Sequence, residues 1–455
     1  PSWPGSSRPS TPTDDGDAGS KGGEAPPSSE TPEQRPGVDG RDEPGHDAAE
    51  KTGAAPVALD KAIAALRRFA LVDIEEVPDE RDATLKTKCL RLHRLVRFVA
   101  GALPPSRNGG ASGKGTDDDI RRALILAMRA VYPEGIFDDP KCWRRARRLD
   151  ALTVTLVADG APPEGGEEVA ANLLNLLAAY RKVALGAYRG AQPLFEQALA
   201  LAERYYPPEH AAIGVLLSNL SDLLRELGGK ENLTKARGYL SRALRILVMA
   251  RGAEHPQVAI CLSNLALVLK DLGGAESLES AREHLIRALA IDEKVLGPEH
   301  PSVAGDLSNL ATVLEDIGGE GNLTAAQAHL TRALAIDEKA LGPEHPKVAI
   351  RLYNLATVLH VPGKPQNLEA ARAHLSRALA IDEKTLGPNH PNVALRLWGL
   401  ATILPKIGGD GNLRLARESF VRAERILRAV LGDEHPWTHG VVANFAVFRA
   451  KHGEG

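Results

Sequence analysis

Six histidines recur at a constant step of 45 residues, at His210, His255, His300, His345, His390 and His435. Imidazole is a common metal ligand, but zinc needs its ligands within about 2.0–2.3 Å of the ion. Equivalent positions in stacked helical pairs stand at least a helix-packing distance apart, about 8–10 Å or more. No metal is therefore expected. From His255 onward the histidines that precede proline belong to a punctuation, Gly-x-x-His-Pro. The glycine can end one helix with a left-handed residue, and the proline suits the first position of the next.

A second series carries hydrogen-bonding chemistry. Asn219, Asn264, Asn309, Asn354 and Asn444 each precede a leucine or phenylalanine in the first helix of a repeat, and Gly399 breaks the series. A helix interior does not favour asparagine, so a repeated one implies a repeated hydrogen-bonding task. Residues at i−4, i+3 and i+7 share its face. They run from Val215, Asp222 and Glu226, through Ile260, Leu267 and Asp271 and then Gly305, Thr312 and Asp316, to Ile350, Thr357 and Val361 and finally Leu395, Thr402 and Lys406. That face is acidic early and apolar to basic late. Tyr353 and Trp398 stand one residue before the asparagine position, where they can serve as aromatic anchors or as partly buried helix contacts.

Other candidate chemistry is thin. Gly113-Lys114 has the look of a phosphate-binding loop, but Asn108 stands where that motif needs glycine and Gly115 where it needs Ser or Thr. The basic run Lys141 to Arg148 spreads its charge over several helix faces. No Ser-His-Asp, paired-carboxylate or Cys-His arrangement can be assembled from the spacing, so an enzyme is not expected. No cofactor is implied.

These residues sit on a repeat that behaves as two helices. In the unit from Pro301 to His345, Val303, Leu307, Leu310, Ala311, Leu314 and Ile317 form one apolar stripe. Leu323, Ala326, Leu330, Ala333, Leu334 and Leu341 form the second, interrupted by Asp337. A fixed period of this length marks a solenoid whose units bury their apolar faces only against neighbours. Ahead of it, residues 1–55 are rich in Pro, Gly, Ser, Asp and Glu and read as a disordered tail. Residues 56–103 read as helix, hairpin and helix, with strands at 71–77 and 86–91, the outline of a winged-helix-like piece. A linker follows at 104–116, then a helical connector at 117–158, then the array at 167–453.

The 56 basic and 59 acidic residues among 455 give a formal charge of −3, which points to neither nucleic acid nor an anionic membrane. Cys89, Cys142 and Cys261 show no metal or redox spacing and fit reduced thiols in a cytoplasmic setting. No run of about 18 apolar residues is present, so no membrane span is expected.

The Asn-Leu-Ala first helix, the Ala-rich second helix and the closing Ala-Ile-Asp-Glu-Lys-x-Leu-Gly-Pro-Glu-His-Pro resemble the tetratricopeptide repeat, and more narrowly its kinesin-light-chain variety. This chain adds a Gly-Gly-x-Gly-Asn insertion between the two helices, as at 318–322. The resemblance implies an all-α fold, a right-handed α-α superhelix. It also implies that Asn219, Asn264, Asn309 and Asn354, with Asn444, look into a concave groove and grip an extended peptide, Asp222, Asp271 and Asp316 lining the acidic part. The plainer alternative is that each asparagine ties adjacent helices together. On either account the partner is a protein or peptide.

Leu71-Val72 followed by Leu92-His93-Arg94-Leu95-Val96 resembles the end of the winged-helix domain of NB-ARC-type (STAND) signalling ATPases. That resemblance implies that His93 senses the phosphate of bound ADP, although Arg94 departs from the family's aspartate. It also implies that the chain is the C-terminal part of a larger ATPase. An alternative is a DNA-binding regulator that uses Lys86, Lys88, Arg91, Arg94 and Arg97.

Overall fold

The computed structural model describes residues 72–78, 86–92, 114–158, 160–360 and 365–453. The expected tail, most of the linker, the flanks of the hairpin and His93 lie outside these residues. The chain falls into two units, one of Arg8–Asp117 and one that holds Asp118–Gly455. In the first, β1 (Val72–Pro78) pairs antiparallel with β2 (Lys86–Leu92), Val72 opposite Leu92 and Pro78 opposite Lys86. The hairpin thus forms at the strands expected, each shifted or extended by one residue.

The connector comprises α1 (Lys114–Val131) and α2 (Trp143–Val157). Its second helix starts only at Trp143, after a short turn. Asp139 accepts the Lys141 N–H at 2.9 Å and caps a single 3₁₀ turn over Pro140–Cys142, because the proline fixes its own φ just where the chain must turn.

Six helix pairs and a final single helix follow. They are α3 (Glu167–Val183) with α4 (Tyr188–Tyr205), α5 (Ala211–Leu227) with α6 (Lys230–Arg251), and α7 (Pro256–Leu272) with α8 (Ala275–Leu296). Next come α9 (Pro301–Ile317) with α10 (Glu320–Leu341), α11 (Pro346–His360) with α12 (Pro365–Thr385), α13 (Pro391–Ile407) with α14 (Asp410–Leu431), and α15 (Pro436–His452). Each helix packs on its chain neighbours, and from α3 to α13 each first helix also packs on the next first helix, which makes the first helices the inner layer of a solenoid. Fully buried alanines recur at the crossings, as Ala259, Ala266, Ala281 and Ala288 do in one unit. With only a methyl group at each crossing, neighbouring helices can approach closely and pack densely.

The histidine punctuation has a definite chemistry. Each imidazole is an N-cap: His255 Nδ1 accepts the Gln257 N–H at 3.0 Å, and His300, His345, His390 and His435 do the same two residues on at 3.1–3.2 Å. His210 makes the same bond at 3.3 Å without a following proline. The preceding glycine behaves somewhat differently from expectation. Gly297 has φ 90° but ψ 156°, a positive-φ extended conformation rather than the left-handed helical one, and one essentially restricted to glycine. The Gly-Gly-x-Gly-Asn insertion also shrinks: only Gly318 and Gly319 lie between α9 and α10, and Asn322 Nδ2 closes the turn on the Gly318 carbonyl at 2.7 Å.

Successive turns of the solenoid touch. His345 Nε2 lies 3.0 Å from the Asp138 carbonyl oxygen and Lys347 pairs with Asp138 at 2.6 Å. His435 Nε2 lies 2.8 Å from the Glu226 carbonyl oxygen, 209 residues away. Pro436 closes on Gly228, where a Cβ would stand 2.9 Å from the proline ring.

A titrating cap predicts a pH effect of known sign. Burial, with Arg396 nearby, pushes His390 down from 6.5 to about 4. The unfolded chain therefore takes up this proton first as pH falls, so the contribution of neutral His390 is complete above about pH 6.5 and is lost towards pH 4. Substitution H390N keeps a capping acceptor that does not titrate. Its stability to urea should fall less than that of wild type between pH 7 and pH 4, by up to about 3 kcal/mol; parallel losses would rule the titrating cap out.

Candidate functional site

The inner layer carries the asparagine row, and the structure shows what the amides touch. Asn264 Nδ2 donates to Ser218 Oγ at 3.0 Å, Asn354 Nδ2 to Ser308 Oγ at 2.9 Å, and Asn219 Nδ2 to Asn175 Oδ1 at 2.9 Å. Each bond crosses from one first helix to the one before it. These side chains therefore tie adjacent first helices together, and they are half-buried rather than sealed. The serine partners escaped the sequence reading, although Ser218-Asn219, Ser263-Asn264 and Ser308-Asn309 repeat as a pair. Where the serine is replaced by Tyr353, the asparagine that would meet it in the next unit is replaced by Gly399.

Tyr353 and Trp398 are buried, 7% and 3% exposed. Arg396 stacks over the Tyr353 ring at 4.5 Å from its centroid. The Trp398 ring packs against Gly440, where a Cβ would stand 2.4 Å from the ring edge. Both aromatics therefore serve packing between adjacent first helices here.

The acidic residues of the inner face form an ion relay. Lys182 pairs with Asp222, and Asp222 lies 3.6 Å from Arg225. Arg225 pairs with Glu226 and reaches Asp271 at 3.4 Å, while Lys270 bridges Asp271 at 3.1 Å and Asp316 at 3.5 Å. Burial alone would raise the Asp271 carboxyl, but Lys270 and Arg225 outweigh it and hold it below its usual range. The same balance holds Asp222 down, through Lys182 and Arg225.

The sign of the charge then reverses along the row. At the position of Glu226, Asp271 and Asp316, the later units carry Lys406 and Lys451. Burial and repulsion from Lys451 hold the Lys406 ammonium below its usual range, and Lys406 donates to the His360 ring, itself pushed down to about 4 by burial and by Lys406. Nearer the start of the same first helices runs the i−4 row of Val215, Ile260, Gly305, Ile350 and Leu395, in which Ile260 is 50% exposed and Gly305 leaves a gap in the row. Among the described residues no group of three or more His, Cys, Asp or Glu side chains converges as a metal site would require, and no helix is long and apolar enough to cross a membrane.

The tetratricopeptide repeat family profile matches residues 258–302 and 366–392. Those two segments thus match tetratricopeptide repeats. No curated protein matches it. Among solved structures it is similar to BtubC (BKLC) of P. vanneervenii, at 24% identity over 54% of this chain and 91% of that one, with a TM-score of 0.38. A putative kinesin light chain repeat protein of Podosopora anserina matches at 24% identity over 48% and 97%, with a TM-score of 0.35. A Rap protein complexed with competence and sporulation factor matches at 11% identity over 87% and 98%, with a TM-score of 0.48.

The relay makes Arg225 a keystone, since it meets Asp222, Glu226 and Asp271 together. Substitution R225M removes the cation and leaves these partly buried carboxylates facing one another. The expected loss is about 1–3 kcal/mol in urea unfolding at pH 7. Most of it should be recovered in R225M/D271N, and no recovery would mean the carboxylates are not coupled through Arg225.

Proposed function

We propose that the array is a protein-interaction scaffold or sensor that holds an extended segment of a protein or peptide along the inner layer of first helices. The observation that carries this reading is the inner face itself: a row of half-buried amides flanked by the partly exposed apolar row through Ile260. Amides at regular spacing suit the backbone of an extended chain, whose donors and acceptors also repeat regularly. The apolar row, with its gap at Gly305, suits side chains projecting from that chain.

Charge sets the direction in which the segment lies. The early relay holds the carboxylates Asp222, Glu226, Asp271 and Asp316 beside the cations Lys182, Arg225 and Lys270. Basic residues of the partner therefore belong at the early units, and acidic ones near Lys406 and Lys451. A cytoplasmic site of action suits the reduced cysteines. On the resemblance of the N-terminal piece, the array reports to a nucleotide switch, and its partner must then bind the two switch states with different affinity.

The test is capture of partners by the whole chain, in wild type, in N264A/N309A/N354A and in I260E. The asparagine variant should lose some stability because it also removes helix ties. Substitution I260E changes an exposed position, so it should leave folding intact while placing a charge on the apolar row. Partners held by wild type should bind at least tenfold more weakly to a folded I260E. Unchanged affinity in both variants would place the binding surface elsewhere.

A further inference from the structure

The joints between units are built from one pair of positions, 14 residues apart, on a second helix and the first helix that follows it. Two joints hold a buried ion pair there: Arg351 Nε donates to Asp337 Oδ2 at 2.9 Å, and Arg396 Nε to Asp382 Oδ2 at 3.0 Å. Two others hold apolar side chains, Leu247 with Cys261 and Leu427 with Val441. The joint between α8 and α9 follows neither pattern. It places Asp292 opposite Asp306, two carboxyl groups with 2% and 5% of their surface exposed.

The surroundings do not neutralise two charges. Ser263 on α7 donates to Asp306 Oδ1 at 2.5 Å. Asp292 Oδ1 and Asp306 Oδ2 are buried and accept no hydrogen bond. The cation that faces Asp306 is Arg351 on α11, and its guanidinium is already bound to Asp337 on α10. Two buried like charges cannot both persist at close range when one shared proton removes the repulsion and the desolvation of one group.

We propose that Asp292 and Asp306 retain a proton between them near neutral pH, and that this makes the α8–α9 joint a proton-dependent joint of the array, tight when protonated and loosened when both groups ionise. Burial raises both carboxyls, Asp292 to about 6 and Asp306 to about 7, against 3.8 for the free group. The folded chain thus holds a proton that the unfolded chain has released. The contribution to stability is complete below about pH 3.8 and is lost as pH rises through about 7, opposite in sign to that of the histidine caps. The joint lies beside the groove row: Ser263 adjoins Asn264, and Asp306 and Asn309 lie one turn apart on α9. The inference does not depend on what the groove binds.

Infrared spectra of wild type and D292N/D306N between pH 5 and pH 8 test the proton directly. A protonated-carboxyl band in wild type at pH 6, fading by pH 8 and missing from the amide variant, is expected. In urea unfolding, wild type should gain on D292N/D306N by at least about fiftyfold in the unfolding equilibrium constant between pH 7 and pH 5, the gain for one proton taken up through about pH 7. Substitution D306R copies the neighbouring ion-pair joints, so it should lose the band and raise the urea midpoint at pH 8, and it serves should the amide variant fail to fold. A wild-type spectrum without the band at pH 6, or a band that survives the substitutions, overturns the proposal.

Discussion

Close approach at the alanine crossings is the constraint on which this solenoid depends. A unit of two helices buries too little apolar surface to stand alone, so each must share its faces with the units on either side. That sharing requires the helices to come together at a short interaxial distance. The methyl groups of Ala259, Ala266, Ala281 and Ala288, and their equivalents in later units, are fully buried at those points. A larger residue at any of them would wedge apart two helices and, through them, the units on either side.

Against that apolar background the buried polar groups stand out as interruptions. The Asp337–Arg351 and Asp382–Arg396 pairs lie beside small apolar clusters, one around Val303, Leu307 and Ile336 and another around Val348, Leu352 and Ile381. Desolvating such a pair offsets most of its Coulomb attraction, so its value lies more in the register it imposes than in net stability. An array whose units are nearly identical could slip by one unit without changing its apolar contacts. Joints that differ, with ion pairs at some, carboxyls at one and apolar contacts at others, do not tolerate that slip.

The histidine row shows how one side chain can serve two scales. Nδ1 ends the orphan donors of a first helix within two residues, while at His345 and His435 Nε2 meets a carbonyl oxygen of the preceding superhelical turn. Both tasks need the neutral ring. Proline at the following position suits the same site because its missing N–H is an unneeded donor there.

Periodicity alone determined the solenoid, its two-helix unit, the histidine-proline punctuation and the shared helix face of Asn264 and its equivalents. Each of these follows from contacts between residues close in sequence or one repeat apart. Tertiary structure decided the rest: that the amides meet Ser218 and Ser308, that Asp222 and Asp271 are held by Arg225, that Trp398 lies under Gly440, and that His435 reaches Glu226. The helix pattern reports which face a residue occupies but not which atoms stand across from it. A contact between residues 209 apart depends on the accumulated rotation of every unit between them. Small angular terms at each joint sum to that rotation, and no single residue in the sequence carries it.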